Sequence, residues 1–335
     1  STRNIIFVLS VPSQSNAFMM GKILLASFLL LVAGCAITEC SSHEDWGLLK
    51  RGWNWFNWYY YWYWQHGHWG QISDHDTICQ RLWGIDHNRL QHRVDYDIFL
   101  QKRILKNSTV DKASRRLFRY VNMTKIQTKP TYRAFIDLLN GFHPSRTSQN
   151  VEIANEIIEH MNTFLSTVMK TRVFQELYWY LVRNNFVYPD KEQFKESLFD
   201  LWFNKRNITT ENPTAFQKIF VGEIVKNPYK LSVRNWIQFS MLESRRLNYY
   251  GYIHYYPYNP KVVSMMFSWN RGVPVTDNML IGTSPEFELA LYTLCFFTRP
   301  AAECECKVNI KKIVVRTTTS PDGSKILNSH FELKF

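Results

Sequence analysis

Residues Trp53 to Trp64 read WNWFNWYYYWYW, ten aromatic rings interrupted only by Asn54 and Asn57. A helix or strand buries one face, and rings at nearly every position cannot all lie on it, so this run has no place as a regular core element. Together with His66, Gly67, His68 and Trp69 it reads as a biased tail, residues 39–71, outside the fold. Such rings suit stacking on bases or sugars, or adhesion to a surface; a low-complexity linker is the plainer alternative. The core must come from the rest of a 335-residue chain that is 45% apolar, enough for a large domain and too apolar for disorder throughout.

The most apolar stretch, Ile23 to Ala33, covers 11 positions, short of the roughly 20 needed to cross a bilayer. Lys22 precedes it and Ala33, Gly34 and Ala36 follow, the order of a secretory signal peptide, so residues 1–38 are expected to be upstream sequence and signal. An uncleaved anchor is the alternative, and Val32-Ala33-Gly34-Cys35 also fits a lipoprotein cleavage site. Asn107-Ser-Thr, Asn122-Met-Thr and Asn207-Ile-Thr are acceptor patterns for N-glycosylation and favour a secreted, extracellular glycoprotein. The six cysteines allow one or two disulfides of unreadable pairing, and Cys304-Glu-Cys306 lacks the second pair that a zinc site needs. The formal charge of +12 belongs mostly to the folded part, since cutting after Gly34 removes only Arg3 and Lys22. A basic surface of this kind suits a polyanion.

From Ile72 onward ordinary periodicity returns. Val151, Ala154, Ile157, Ile158, Met161, Leu165 and Val168 step by three and four, which predicts an amphipathic helix; Val173 to Phe186 repeats it, and Asp190 with Gln193 marks a third helix through Phe203. Ile219 to Val221, Val262 to Trp269 and Lys307 to Arg316 read as strands, with a turn at Pro321-Asp322-Gly323 before a last strand, Ile326 to Phe335. Between them Ser284, Pro285, Glu286 and Glu288 mark the start of a helix reaching Phe297.

Several blocks together resemble the EndoU family of uridylate-preferring endoribonucleases: RLWGIDHNRL (Arg81 to Leu90), KPTYRAFIDLLNGF (Lys129 to Phe142), FVGE (Phe220 to Glu223), NWIQF (Asn235 to Phe239), GYI (Gly251 to Ile253), FSW (Phe267 to Trp269) and IGTSPEFELALYTLCF (Ile281 to Phe296). The resemblance implies an α+β fold over residues 72–335, mainly helical in 72–205 and sheet-rich in 206–335. It also implies cleavage of single-stranded, uridine-rich RNA to 2′,3′-cyclic phosphate ends, commonly with manganese (Mn2+). That chemistry needs a proton acceptor for the ribose 2′-OH, a donor for the leaving oxygen and a cation beside the phosphate. In the family two histidines and a lysine are expected to supply them.

All three positions are replaced here. The resemblance puts Lys218 and Arg234 at the histidine positions, Tyr250 at the lysine position before GYI, Gln217 at an acidic one, and a retained Glu223 in a structural or metal role. Arginine releases no proton at ordinary pH, lysine does so only with a strongly lowered pKa, and tyrosine carries no positive charge. The family mechanism is therefore expected to be off, leaving a pseudoenzyme that binds single-stranded RNA or another polyanion through Lys218 and Arg234, with Thr283 and Ser284 giving base preference. No protein partner is indicated. The alternatives are an active uridylate-specific endoribonuclease using Lys218 and His254, which lies four residues beyond Tyr250, and an adhesive protein acting through its aromatic tail.

Overall fold

In the computed structural model the described residues are 75–106, 108–142, 155–203, 213–226 and 229–333. The signal segment, the aromatic tail, Asn107, Asn207 and the first turn of the helix expected from Val151 lie outside them. They form the α+β fold that the motifs imply. Among the described residues no helix is long and apolar enough to cross a membrane.

The chain opens with α1 (His75–Gly84), a short ribbon of β1 (Tyr96–Ile98) and β2 (Phe118–Val121), and then α2 (Met123–Gln127) and α3 (Pro130–Gly141). The expected helices follow as α4 (Asn155–Val168), α5 (Arg172–Arg183) and α6 (Lys191–Phe203). Asp190 Oδ1 accepts the amides of Glu192 and Gln193, the N-cap that the sequence announces for α6. The inward residues of these helices gather an aromatic core: Phe135, Phe164, Trp202, Phe203 and Phe216 all lie within ring contact of one another or of Phe220.

Ile219 to Val221 is not a strand. Residues Gln217–Val221 form a π-helical turn, closed by the Gly222 amide on the Gln217 carbonyl at 2.9 Å. Two local causes prevail over β-branched propensity. Thr214 and Gln217 make reciprocal caps, each side chain accepting the other's amide at 3.2 and 2.8 Å, and Ile219, Phe220 and Val221 are all drawn into the core. Gly222 then reverses the chain with φ +97°, where a Cβ would meet the Ser232 carbonyl oxygen at 2.6 Å.

The sheet part is built from β3 (Glu223–Lys226) and β4 (Tyr229–Ser232), α7 (Trp236–Glu243), β5 (Leu247–Tyr256), β6 (Lys261–Trp269), β7 (Val275–Ile281), α8 (Pro285–Thr298), β8 (Glu303–Val308), β9 (Lys311–Thr319) and β10 (Ile326–Leu333). Antiparallel pairing gives one sheet in the order β5-β6-β7 and another in the order β10-β9-β8. The single strand expected over Lys307 to Arg316 is instead the junction of β8 and β9, because Asn309 takes a left-handed φ of 56° and turns the chain. Cys79 pairs with Cys306, tying α1 to β8, and Cys295 with Cys304, tying α8 to β8.

Replacing Gly222 by alanine is expected to lower stability by about 2 kcal/mol or more, since left-handed backbone and a backbone collision both oppose a side chain there. Chemical denaturation of the two proteins measures it.

Candidate functional site

Several of the quoted motifs meet at the start of α8. Asn235 caps α7 by accepting the Ile237 and Gln238 amides, and its own amide donates to Glu288 Oε2 at 3.2 Å. Trp236 Nε1 donates to the Thr283 carbonyl at 2.9 Å, and Gln238 Nε2 to the Val221 carbonyl at 2.8 Å. From the helical part, Asp86 accepts the Ser284 amide and Asn88 donates to Glu286. Gly282, at φ +96°, leaves room for the Tyr96 hydroxyl, which a Cβ would meet at 2.6 Å.

This junction is dry and acidic. Glu288 is pushed up to about 8, by burial first, against hydrogen bonds from Thr283 and Asn235. Thr283 has one hydroxyl hydrogen yet lies near both the Leu280 carbonyl and Glu288 Oε1; a protonated Glu288 that donates to Thr283 satisfies both contacts. Asp86 is raised to about 7 by burial and then by the charge of Glu286, which burial raises as well. These groups build the site without facing ligand. Thr283 and Ser284, expected to touch a base, are wholly buried, and their hydroxyls serve Glu288, Leu280 and the α8 cap.

The open cleft lies on the other side of α7's entry. It has a volume of about 470 Å³ and is lined by Lys106, Arg234, His254, Asp277, Asn278 and His330 among others. Arg234 is held rigidly at its edge: Nε meets Asp277 at 3.2 Å, and Nη1 donates to Asn328 Oδ1 at 2.8 Å and to the Ser329 carbonyl at 3.4 Å. The arginine therefore stitches β10 to β7, while burial raises the Asp277 carboxyl and the guanidinium opposes that shift. Lys218 sits on the π-helical turn, which packs against β10, but is outside the cleft lining. Tyr250 is also outside the lining, at an irregular register of β5, packed with Ile104 and with Ile253, which does line the cleft. Glu223 begins β3, opposite Ser232. Of Lys218, Arg234 and Tyr250, only Arg234 lines the cleft.

The sequence reading missed His330, Asp277 and Lys106. His330 alternates with Asn328 and Glu332 along β10, a pattern indistinguishable in sequence from an ordinary half-buried strand. The cleft does not suit the manganese that the resemblance implies. Its carboxylates are taken, Asp277 by Arg234 and Glu332 by Arg316 and His330. Among the described residues the one three-donor group close enough for a metal is Cys295, Cys304 and Cys306, all bound in disulfides.

The profile of the family described as Endoribonuclease XendoU matches residues 74–332. The chain belongs to that family. A uridylate-specific endoribonuclease of Mus musculus is 34% identical over 265 residues, covering 75% of this chain and 63% of its own. Poly(U)-specific endoribonuclease-B of Xenopus laevis is 32% identical over 272 residues, covering 77% of this chain and 93% of its own. The chain thus spans less than two thirds of the mouse relative's length. The solved structure of XendoU, described as a splicing independent snoRNA processing endoribonuclease, superposes with a TM-score of 0.66 at 27% identity, over 79% of this chain and 99% of that one.

The buried acids set a pH dependence. Their pKa values are raised by folding, so the folded chain keeps protons that the unfolded chain releases; the resulting stabilisation is full below about pH 4 and fades as pH rises through about 7 to 8. The melting temperature is expected to fall between pH 5.5 and 8.5, and Glu288→Gln, which preserves the hydrogen-bonded shape, to flatten that fall.

Proposed function

We propose that the protein is a secreted XendoU-family protein that holds single-stranded RNA in the cleft of Lys106, Arg234, His254 and His330, without the His-His-Lys apparatus expected at Lys218, Arg234 and Tyr250. The observation that carries this reading is the seating of Arg234. A guanidinium fixed by Asp277 and Asn328 cannot carry a proton in turnover, yet it gives the cleft wall a permanent cation. The exposed ammonium of Lys106 and a chain charge of +12 support backbone-phosphate binding. The uridylate-specific and poly(U)-specific relatives make uridine-rich RNA the first ligand to try. Since Thr283 and Ser284 point inward, base preference is assigned to the cleft rather than to those two hydroxyls.

Secretion is part of the proposal. It is supported by the signal-like segment, by two disulfides and by Asn122, an exposed acceptor whose Oδ1 caps α2. The alternative pairing of Lys218 with His254 is less well supported, because Lys218 does not line the cleft with the histidine.

Fluorescence anisotropy with a uridine-rich oligonucleotide tests the reading across a salt series. Affinity is expected to fall log-linearly with salt, and Lys106→Ala to weaken binding and reduce the slope by about one counterion. Binding to duplex DNA as tight as to single-stranded RNA, or no binding at low salt, refutes it.

A further inference from the structure

The loop that precedes β2 concentrates positive charge. From Lys102 to Arg116 it reads KRILKNSTVDKASRR, with Lys102, Arg103, Lys106, Lys112, Arg115 and Arg116 against a single acid, Asp111. Gln101 closes the loop at its base, its side chain accepting the Arg115 amide at 2.9 Å and donating to the Arg115 carbonyl. The two arms lie along β5, the end strand of its sheet: the Ile104 amide donates to the Tyr252 carbonyl at 2.8 Å, and the Lys112 amide to the Tyr250 carbonyl at 3.0 Å. Arg245 and Arg246, in the turn before β5, continue the series, and Arg116 reaches the same turn by donating to the Ser244 carbonyl. The strand between, Leu247 to His254, covers about 23 Å. A basic band thus runs from Lys106 at the rim of the cleft to the turn between α7 and β5.

No internal duty explains these charges. Elsewhere exposed cations meet carboxylates: Arg81 and Arg183 share Glu176, Lys125 meets Asp95, and Lys312 meets Asp76. Among the described residues no cation of the band is in an ion pair. Asp111 is spent on the Asn248 side chain and the Ala113 amide, and buried Glu243, on which Arg116 acts, accepts the Leu117 and Phe118 amides. Charge also guards an open strand edge against pairing with another chain, but here the loop's own amides already occupy that edge. Unmatched charges of one sign held close together repel, and a linear polyanion relieves the repulsion while releasing its counterions.

The rings nearby decide which polyanion fits. Binding of a single-stranded nucleic acid combines cations with aromatic faces on which bases stack. Lys102 to Arg116 contains no aromatic residue. Along β5, Tyr249 is buried, Tyr250 packs with Ile104 and Ile253, and Tyr252 meets Tyr255 edge-on. Trp269, beside Arg245 and Arg246, is only 8% exposed. We propose that the band is a docking surface for a linear sulfated polysaccharide of the heparin type, held through its sulfates by guanidinium forks and ammonium groups. The proposal rests on the secreted reading and not on RNA in the cleft, with whose lining the band shares only Lys106.

The test titrates heparin into the full 335-residue chain across a salt series. Desulfated heparin, a short uridine oligonucleotide and phosphatidylserine vesicles are the comparison probes. Two paired variants sample the band: Lys102→Ser with Lys112→Ser, and Arg245→Ser with Arg246→Ser. Among the described residues none of these side chains has a hydrogen-bond or ion-pair partner, so both pairs are expected to melt normally; should either fail to fold, its glutamine version takes its place. Heparin is expected to bind more tightly than its desulfated form. Each pair is expected to lower the slope of log affinity against log salt by about two counterions and to leave the oligonucleotide affinity unchanged. Arg81→Ser with Arg183→Ser removes the same charge from the helical part and is expected to leave the heparin slope as it was. Equal binding of desulfated heparin, a heparin affinity that neither band pair moves, or an equal loss in the Arg81 and Arg183 pair overturns the proposal. So does a loss confined to oligonucleotide or vesicles. Heparin binding that responds as expected in a protein that binds no oligonucleotide removes the RNA reading and upholds this one.

Discussion

A buried carboxyl group organises the junction at the start of α8. Glu288, one turn into α8, takes Asn235 from the start of α7 and Thr283 from the end of β7 into one hydrogen-bonded cluster. Asn235 in turn fixes where α7 begins, Trp236 pins the Thr283 carbonyl, and Gln238 reaches back to Val221. A buried polar cluster of this kind is costly if any member is unpaired, so each member specifies the position of the others. The Arg234 position, immediately before Asn235, inherits that precision without taking part in it.

This explains why the family blocks lie mostly away from the cleft, to whose lining they contribute Ile253. NWIQF and GTSPEFE are recognisable because their side chains are spent on one another in the interior, where little else fits. Side chains on the cleft wall answer only to ligand and solvent. Replacement of a titratable group there leaves the framework intact, and the family fold therefore says less about chemistry than the lining does.

Helices α4, α5, α6 and α8 were legible in the sequence because each is set by local spacing, with Asp190 before α6 and Ser284 and Pro285 before α8, whereas α1, α2, α3 and α7 were not read. The π-helical turn at Gln217–Val221 was not, since Ile219, Phe220 and Val221 carry a strand-like composition and only the Thr214 and Gln217 caps, together with burial, decide otherwise. The hairpin at Asn309 was hidden for the opposite reason: one residue in a left-handed conformation divides an otherwise continuous β pattern. The cleft itself was barely legible. Arg234 and His254 are 20 positions apart, and His330 lies 76 beyond that; their meeting depends on β10 docking beside β7, a contact between strands of two sheets that no local pattern encodes.

Arg234 is where these strands of reasoning join. A histidine at the entry to α7 would have a neutral state and a free nitrogen to offer; the arginine has neither, but its forked donors reach Asp277 on one strand and Asn328 with Ser329 on another. At this one position the chain therefore carries a clasp between β7 and β10. A firmer clasp holds β10 at a fixed distance from the β5-β6-β7 sheet, and β10 is the strand that carries His330. The side chain at the α7 entry is therefore also the one that steadies β10 beside β7, and with it the place of His330 on the cleft wall.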